Sequence, residues 1–444
     1  MRIALISPKG PLYRYSGGIF RKSLRYQPLT LTTLAALAPA ELDIEFRLID
    51  EGIEEIPDGL DVDLVAMTVI TGTAPRAYEL ARRFRAENIP VVLGGPHVTL
   101  MPREAATHAD AICIGYAERS WPQLLRDFAG GKMRPRYEQG DDFNLDDPVF
   151  PRRELLDRRK YITHAVFEAT RACAHACEFC VSPSAWGRRQ FQKPVEHVVE
   201  DIRRVGARRN IFIDLNLISD RAYAERLFRA LQPLGIRWFG LVTSLIGRDP
   251  ELMKLMAASG CSGVLIGFES ISEDALGAIR KKFNRPDLYA DLIDQLHALG
   301  ISIYGCFVFG HDDDDTGVFE HTAQFVIDTG IDLPRFAIQT PFPGTPLFNR
   351  LQAQGRILTR DWELYDGQHV VFEPIGMSVQ ELQEGHVAAW RKVYSRRAIV
   401  RRLAKSRTQL PIAILANYGY RFYAYHLDTH YTCDWAVDYR PAAA

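Results

Sequence analysis

Two α/β domains followed by a small helical one is the architecture that the sequence predicts, and three observations predict it. The first 140 or so residues alternate short apolar runs with helical stretches, the pattern of a doubly wound parallel sheet. A polar, proline-bearing linker then leads into a second βα series of six units, enough for a partial (βα)6 barrel. From Phe348 onward the strand pattern stops and helical spacing takes over. The boundaries read 1–140, 141–158 for the linker, 159–347 for the barrel and 348–444 for the helical C-terminal domain.

In the first domain the runs at 2–7, 44–49, 63–71, 90–94 and 111–115 read as buried strands, with helices at 29–37 and 75–86 between them. Thr73 is placed to cap the second helix, with Pro75 in its first turn, where proline is tolerated. Ligands of such sheets bind beyond the carboxyl ends of the strands. Three segments fall there: a loop with Ser16, Gly17 and Gly18, the turn Thr71-Gly72-Thr73, and Gly94-Gly95-Pro96-His97. Adjacent glycines after a buried strand let a ligand approach the backbone closely.

In the second block strands are expected at 164–168, 210–215, 236–242, 263–269, 301–309 and 334–339, with helices at 195–205, 222–232, 250–259 and 286–299. Directly after the first of these strands stands ATRACAHACEFC, which places Cys173, Cys177 and Cys180 in a C-x3-C-x2-C array. Three thiolates so close together can hold three irons of a [4Fe–4S] cluster and leave the fourth open. The same cysteines with His175 would equally make a Cys3His zinc site. A disulfide framework is a poor reading of seven cysteines in 444 residues.

Composition narrows the function classes. At 47% hydrophobic the chain can bury two or three cores, and a net charge of -1 argues against nucleic acid as a partner. No apolar run approaches the roughly 20 residues of a membrane span. MRIALISPKG reads as a first strand rather than a signal peptide, so a reducing cytoplasm is the expected setting. Cys113, Cys261, Cys306 and Cys433 sit in apolar or aromatic contexts and read as buried small residues. The acidic run 312–315 reads as a solvated loop. A basic stretch, with Arg396, Arg397, Arg401, Arg402, Lys405 and Arg407, reads as a solvated helix face beside an aromatic core.

With Phe179 before its last cysteine, the array reads C-x3-C-x-Φ-C and resembles the signature of radical S-adenosylmethionine (radical SAM) enzymes. The string VVLGGPHVTLMPREAATHADAICIGYAE resembles the cobalamin-binding domain that precedes many radical SAM domains, and GVLIGFES and TPFPGTPL resemble that family's fourth strand and sixth-strand turn. The resemblance spans nearly the whole chain. It implies a Rossmann-like cobalamin-binding domain, a radical SAM barrel and a helical tail, as in anaerobic magnesium-protoporphyrin ester cyclase and hopanoid methylases. It implies three cofactors: the cluster on Cys173, Cys177 and Cys180; SAM against Phe179, Asp214, Asn216, Ser244 and Glu269; and cobalamin against Ser16, Gly17, Gly18, Gly72, Thr73, Gly94, Gly95, Pro96, His97 and Glu118.

Three departures accompany it. The D-x-H-x-x-G motif that supplies a cobalt ligand in other cobalamin methyltransferases is absent, and Gly115-Tyr116-Ala117-Glu118 stands where the family often has G-E-G-E. Ala172 and Ala174 replace the glycine and proline of T-R-G-C-P. The chemistry implied is methylation of an unactivated carbon, through a 5′-deoxyadenosyl radical and methylcobalamin. A small molecule, lipid or natural product is the implied substrate, and a flavodoxin- or ferredoxin-like protein the electron donor. Rearrangement, cyclisation or oxidation with the same cofactors is the alternative, and a non-enzymatic cobalamin sensor or zinc-stabilised binding protein a third.

Overall fold

The computed structural model describes residues 1–10 and 23–427. The first domain is a six-stranded parallel sheet of Arg2–Ser7, Glu45–Asp50, Leu64–Thr68, Val91–Gly94, Ala111–Gly115 and Arg136–Gln139. The spatial order is second, first, third, fourth, fifth, sixth, so the winding reverses between the first and third strands. Both faces are covered, which is why the strands read as unbroken apolar runs. Ala4, Ile6, Val65 and Met67 enter one core, and Ile3, Leu5, Leu64 and Ala66 the other. The sixth strand had no such signal: at the sheet edge it exposes Arg136 and Glu138 and buries only Tyr137 and Gln139.

The barrel strands are Val166–Phe167, Arg209–Phe212, Arg237–Leu241, Cys261–Glu269, Ser302–Phe309 and Leu333–Ile338. They pair in chain order as an open parallel sheet. Side chains alternate across it, as the strand period of two requires. Val264, Ile266, Phe268, Phe307 and Phe336 pack outward against the helices in one large core, while the inward set stays half-exposed.

The helical region lacks a core of its own among the described residues. Phe348, Trp362, Tyr365 and Val371 belong to a core of the first domain, and Trp390, Tyr394 and Leu403 to that of the barrel. It ends in the helices Val379–Val393, Arg396–Ser406 and Leu410–Tyr425. Its basic stretch is not wholly solvated. Arg402 is fully buried and donates to the carbonyls of Ile331, Asp332 and Val393 and to Asn417 Oδ1. Nor is the acidic run free: Asp312 bridges Arg350 and Arg356, and buried Asp314 accepts from the N–H groups of Gly310 and His311. Thr73 does not cap with its side chain; its hydroxyl bonds the Ile70 backbone within a tight turn.

The linker packs rather than floats. Phe143 and Leu145 are buried with Tyr116 of the first domain and Phe191 of the barrel, and the Phe143 and Phe191 rings stack at 4.3 Å. Aromatic contact therefore fixes the carboxyl ends of the first sheet against those of the barrel.

Candidate active site

Between those two sets of strand ends lies a cavity of about 400 Å³. The first domain lines it with Met67, Gly94, Gly95, Pro96, Gly115 and Glu118, and the barrel with Glu168, Arg171, Ala172, Ile213 and Leu215. The helix Leu29–Ala36 and the rings of Tyr116, Trp121 and Trp186 complete the wall. Sequence reasoning missed these last contributors, because an apolar residue lining a ligand site carries the same signature as a core residue. Gly95 has φ +104°, and a Cβ there would stand 2.8 Å from the Val69 carbonyl oxygen. Gly115 has φ +75°, with only 2.2 Å between an added Cβ and the Gln139 carbonyl. Only glycine lets the strand ends turn there.

Other expected cobalamin residues divide. Gly94, Gly95, Pro96 and Glu118 line the cavity. Gly72 and Thr73 form the adjoining turn Thr71–Thr73 and do not line it, while Ser16, Gly17 and Gly18 fall outside the described residues. His97 is fully buried with both nitrogens engaged elsewhere: Nδ1 lies 3.3 Å from Thr71 Oγ1, and Nε2 3.2 Å from the Tyr78 hydroxyl and 3.3 Å from Glu104 Oε1. Glu104 also accepts from Trp362 Nε1 at 3.0 Å, so His97 serves the seam between the first domain and the tail. Among the described residues no histidine lines the cavity. Cys113 faces the cavity instead of being fully buried as expected, and Cys433 lies outside the described residues.

Arg171 joins the two sides. It is ion-paired with Glu118 of the first domain and, at 2.8 Å, with Glu168 of the barrel, which also meets Lys193 at 3.1 Å. Burial works against the Glu168 carboxylate, but Arg171 and Lys193 outweigh it and lower it to about 2. Glu168 therefore stays a carboxylate beside Arg171.

Two residues beyond Arg171 the cysteine loop begins. Its entry is held by Asp214, 1% exposed, which accepts from the N–H of Ala169 at 3.1 Å and from that of Thr170. The Tyr223 hydroxyl donates to the carbonyls of Ala169 and Lys193 at 3.1 and 2.7 Å. Asp214, expected to meet the SAM amino group, thus spends its lone pairs on the loop backbone. Burial pushes its carboxyl up to about 7 despite those donors. Ala172 has φ +66°, the left-handed conformation that the family's glycine adopts without cost.

Cys177 is buried and Cys173 and Cys180 half-buried. Burial raises the Cys177 thiol and pushes that of Cys180 up to about 11, so metal binding must displace their protons. His175 does not join them: its ring stacks on Phe283 at 4.2 Å. Among the described residues no three or more such ligands converge on a point, as one zinc ion requires. A polynuclear cluster needs no such convergence, since each cysteine takes a different iron. Phe179 packs against the barrel core beside the last cysteine.

The fourth barrel strand ends in a strained residue. Glu269 has φ +64°, and the pairing register slips between Gly267 and Glu269. Its carboxylate meets Lys281 Nζ at 2.6 Å, both side chains being 10% exposed. Lys281, which sequence reasoning missed, also donates to the Gly267 carbonyl at 3.0 Å. Against its burial it stays cationic, held up by Glu269 and by the neighbouring Cys177. Ser244, an expected SAM contact, donates to Asn284 Oδ1 at 2.6 Å, and Asn284 in turn holds the Gly267 and Phe268 carbonyls. At the ends of the second and third barrel strands, Asn216 Oδ1 and Thr243 Oγ1 are buried with no hydrogen-bond partner among the described residues. Orphaned polar atoms at that level fit a polar ligand such as SAM.

A parallel sheet with glycine strand ends, facing a barrel whose first loop carries three cysteines, defines a radical SAM enzyme with a cobalamin domain. Comparison with known proteins agrees. Residues 167–326 match the radical SAM superfamily, 24–125 the B12 binding domain and 345–415 a domain of unknown function (DUF4070). The chain is 32% identical over 396 residues to a bacteriochlorophyllide d C-12(1)-methyltransferase of Chlorobaculum tepidum, covering 85% of this chain and 84% of that protein. It is 26% identical over 379 residues to the hopanoid C-2 methylase of Rhodopseudomonas palustris, covering 79% of this chain and 70% of that one. The fold is shared with the radical SAM methyltransferase TsrM of Kitasatospora setae, at 17% identity and a TM-score of 0.66 over 80% of this chain and 78% of that one. It is also shared with the cobalamin-dependent radical enzyme OxsB, at 12% identity and 0.69 over 99% and 76%.

The chain belongs to the cobalamin-dependent radical SAM family. It is an enzyme of the methyltransferase type in that family, and its cofactors are a [4Fe–4S] cluster, SAM and cobalamin.

Proposed function

We propose that the protein methylates an unactivated carbon of a small-molecule or lipid substrate, with the two halves of the reaction meeting in the cavity between its domains. One observation carries this reading: the strand-end glycines of the first sheet and Thr170, Arg171 and Ala172, which lead directly into the cysteine loop of the barrel, line the same 400 Å³ space. When bound, the cluster, SAM and cobalamin supply the radical that removes hydrogen and the methyl group that replaces it. The chain supplies placement. Cys173, Cys177 and Cys180 would hold the cluster, while Asp214 and Tyr223 fix the loop that carries them. Asn216 Oδ1 and Thr243 Oγ1 offer acceptors to SAM, and Lys281 sets a positive charge beside the thiolates. Gly94, Gly95 and Pro96 would let the corrin lie against the backbone, with apolar walls keeping water from a radical.

The reducing electron comes, in this reading, from a flavodoxin- or ferredoxin-like donor in the cytoplasm. Among the described residues no helix is long and apolar enough to cross a membrane. The test is anaerobic incubation of the reconstituted protein with SAM, cobalamin and reductant. Both S-adenosylhomocysteine and 5′-deoxyadenosine are expected, and Cys177→Ala should abolish the second. Absence of either product from the wild type would remove the methylase reading.

A further inference from the structure

Beyond the exposed Arg209 and Arg237 at the strand starts, the inner face of the barrel sheet carries half-exposed apolar side chains, among them Leu241, Leu265, Val308 and Ala337. Into this lumen the sixth strand puts one full charge. Arg335 lies between Pro334 and Phe336, both buried on the outer side, so its own side chain points inward. The register gives its level. Arg335 stands beside Cys306 of the fifth strand, and Cys306 beside Gly267 of the fourth, two residues before Glu269.

Arg335 is exposed to solvent. Tyr420, Cys306, Tyr304 and Tyr423 lie near enough to favour its charged form. Tyr420 comes from the last helix and hydrogen-bonds the Tyr304 hydroxyl, which closes the lumen at that level. Cys306 is accordingly half-exposed, not the buried small residue its sequence context promised. Among the described residues no carboxylate pairs with Arg335 and no hydrogen bond holds it, whereas Arg171 is ion-paired with Glu118 and Glu168 and Arg402 donates four hydrogen bonds through its terminal nitrogens. A guanidinium without a carboxylate partner keeps a planar fork free that matches a carboxylate in two parallel hydrogen bonds.

We propose that Arg335 anchors a carboxylate carried by an otherwise apolar substrate, whose body lies along Val308 and Ala337 toward Glu269 and the cysteine loop. A neutral hydrocarbon would leave the guanidinium unpaired. The inference deepens the methylase reading and rests on it for taking the lumen as the substrate site.

The test reads Cys306, the thiol next to Arg335, in the full-length cofactor-loaded protein. Its alkylation by iodoacetate and by iodoacetamide is compared by peptide mass spectrometry at mildly alkaline pH. The ratio of the two reagents cancels any change in thiolate fraction. The wild type should prefer iodoacetate by about tenfold more than Arg335→Gln, with most of the preference kept by Arg335→Lys. Decanoate should slow iodoacetamide labelling in the wild type where decanol does not, and R335Q should lose that protection. Equal reagent ratios in wild type and R335Q would overturn the anchor, as would protection by decanol equal to that by decanoate. Thermal melts matching the wild type establish that both variants fold. Since labelling does not depend on SAM cleavage, a retained iodoacetate preference without cleavage products would remove the methylase reading alone.

Discussion

The strand ends on the two sides of the cavity are built from opposite materials. The first domain offers Gly94, Gly95 and Gly115 among Met67, Tyr116 and Trp121, a surface shaped by missing side chains and apolar walls. The barrel offers Glu168 and Arg171 at the cavity wall and, elsewhere at its strand ends, Asp214, Glu269, Lys281, Asn216 and Thr243, all buried or half-buried and mostly hydrogen-bonded. One side selects by shape, as suits a broad macrocycle. The other fixes charges and donors, as suits a cluster and a zwitterionic cofactor. The Glu118–Arg171–Glu168 network is an ionic link between the two.

If that division holds, damage should separate by cofactor. The largest effect is expected from Gly115→Ala, where the Cβ meets backbone at 2.2 Å in a left-handed conformation. Backbone must move, at a cost of about 3 kcal/mol or more. Cobalt content after reconstitution should fall while iron content holds, as measured by elemental analysis. Next, Lys281→Met leaves Glu269 buried and unpaired, which costs about 3–5 kcal/mol. Its melting temperature should drop and its iron content with it, and the double variant K281M/E269Q should recover part of the loss.

Asp214→Asn tests the loop anchor. Folding holds the Asp214 carboxyl up near 7 against an ordinary value of 3.8. The native state therefore keeps a proton that the unfolded chain releases, and this group's contribution to stability declines as pH rises from about 4 to about 7. Denaturant titrations should show that decline in the wild type and a flatter profile in D214N. Iron uptake by D214N should be poorer above about pH 7, where the wild-type group is a carboxylate and holds the Ala169 and Thr170 N–H groups more strongly than an amide oxygen does. The smallest effect belongs to Ala172→Gly, which relieves φ +66°. A gain of up to about 1 kcal/mol is expected by chemical denaturation, with cobalt binding unchanged.

The same contrast governs what was legible in the sequence. Buried parallel strands announce themselves as apolar runs, so five of the first domain's strands and all six of the barrel's could be read, and the edge strand Arg136–Gln139 could not. Cysteine spacing and paired glycines carry local signals, because one short segment must meet one geometric demand. Roles that depend on distant partners carry none. Lys281 looked like one cation among several in a surface stretch, and only the fold brings it to Glu269. His97 sits in a glycine-rich turn that points to a ligand, yet the fold gives both its nitrogens to Thr71, Tyr78 and Glu104. Asp214 stands at the expected strand end, but which N–H groups it meets is decided by the loop's path.

The central claim is that two cofactor sites face one cavity, and metal content per chain tests it most directly. Anaerobic reconstitution with iron, sulfide and hydroxocobalamin should give about four irons and about one cobalt in the wild type. In Cys177→Ala the iron should be lost and the cobalt kept. Iron without cobalt in the wild type would contradict the account, as would loss of cobalt together with iron in the cysteine variant.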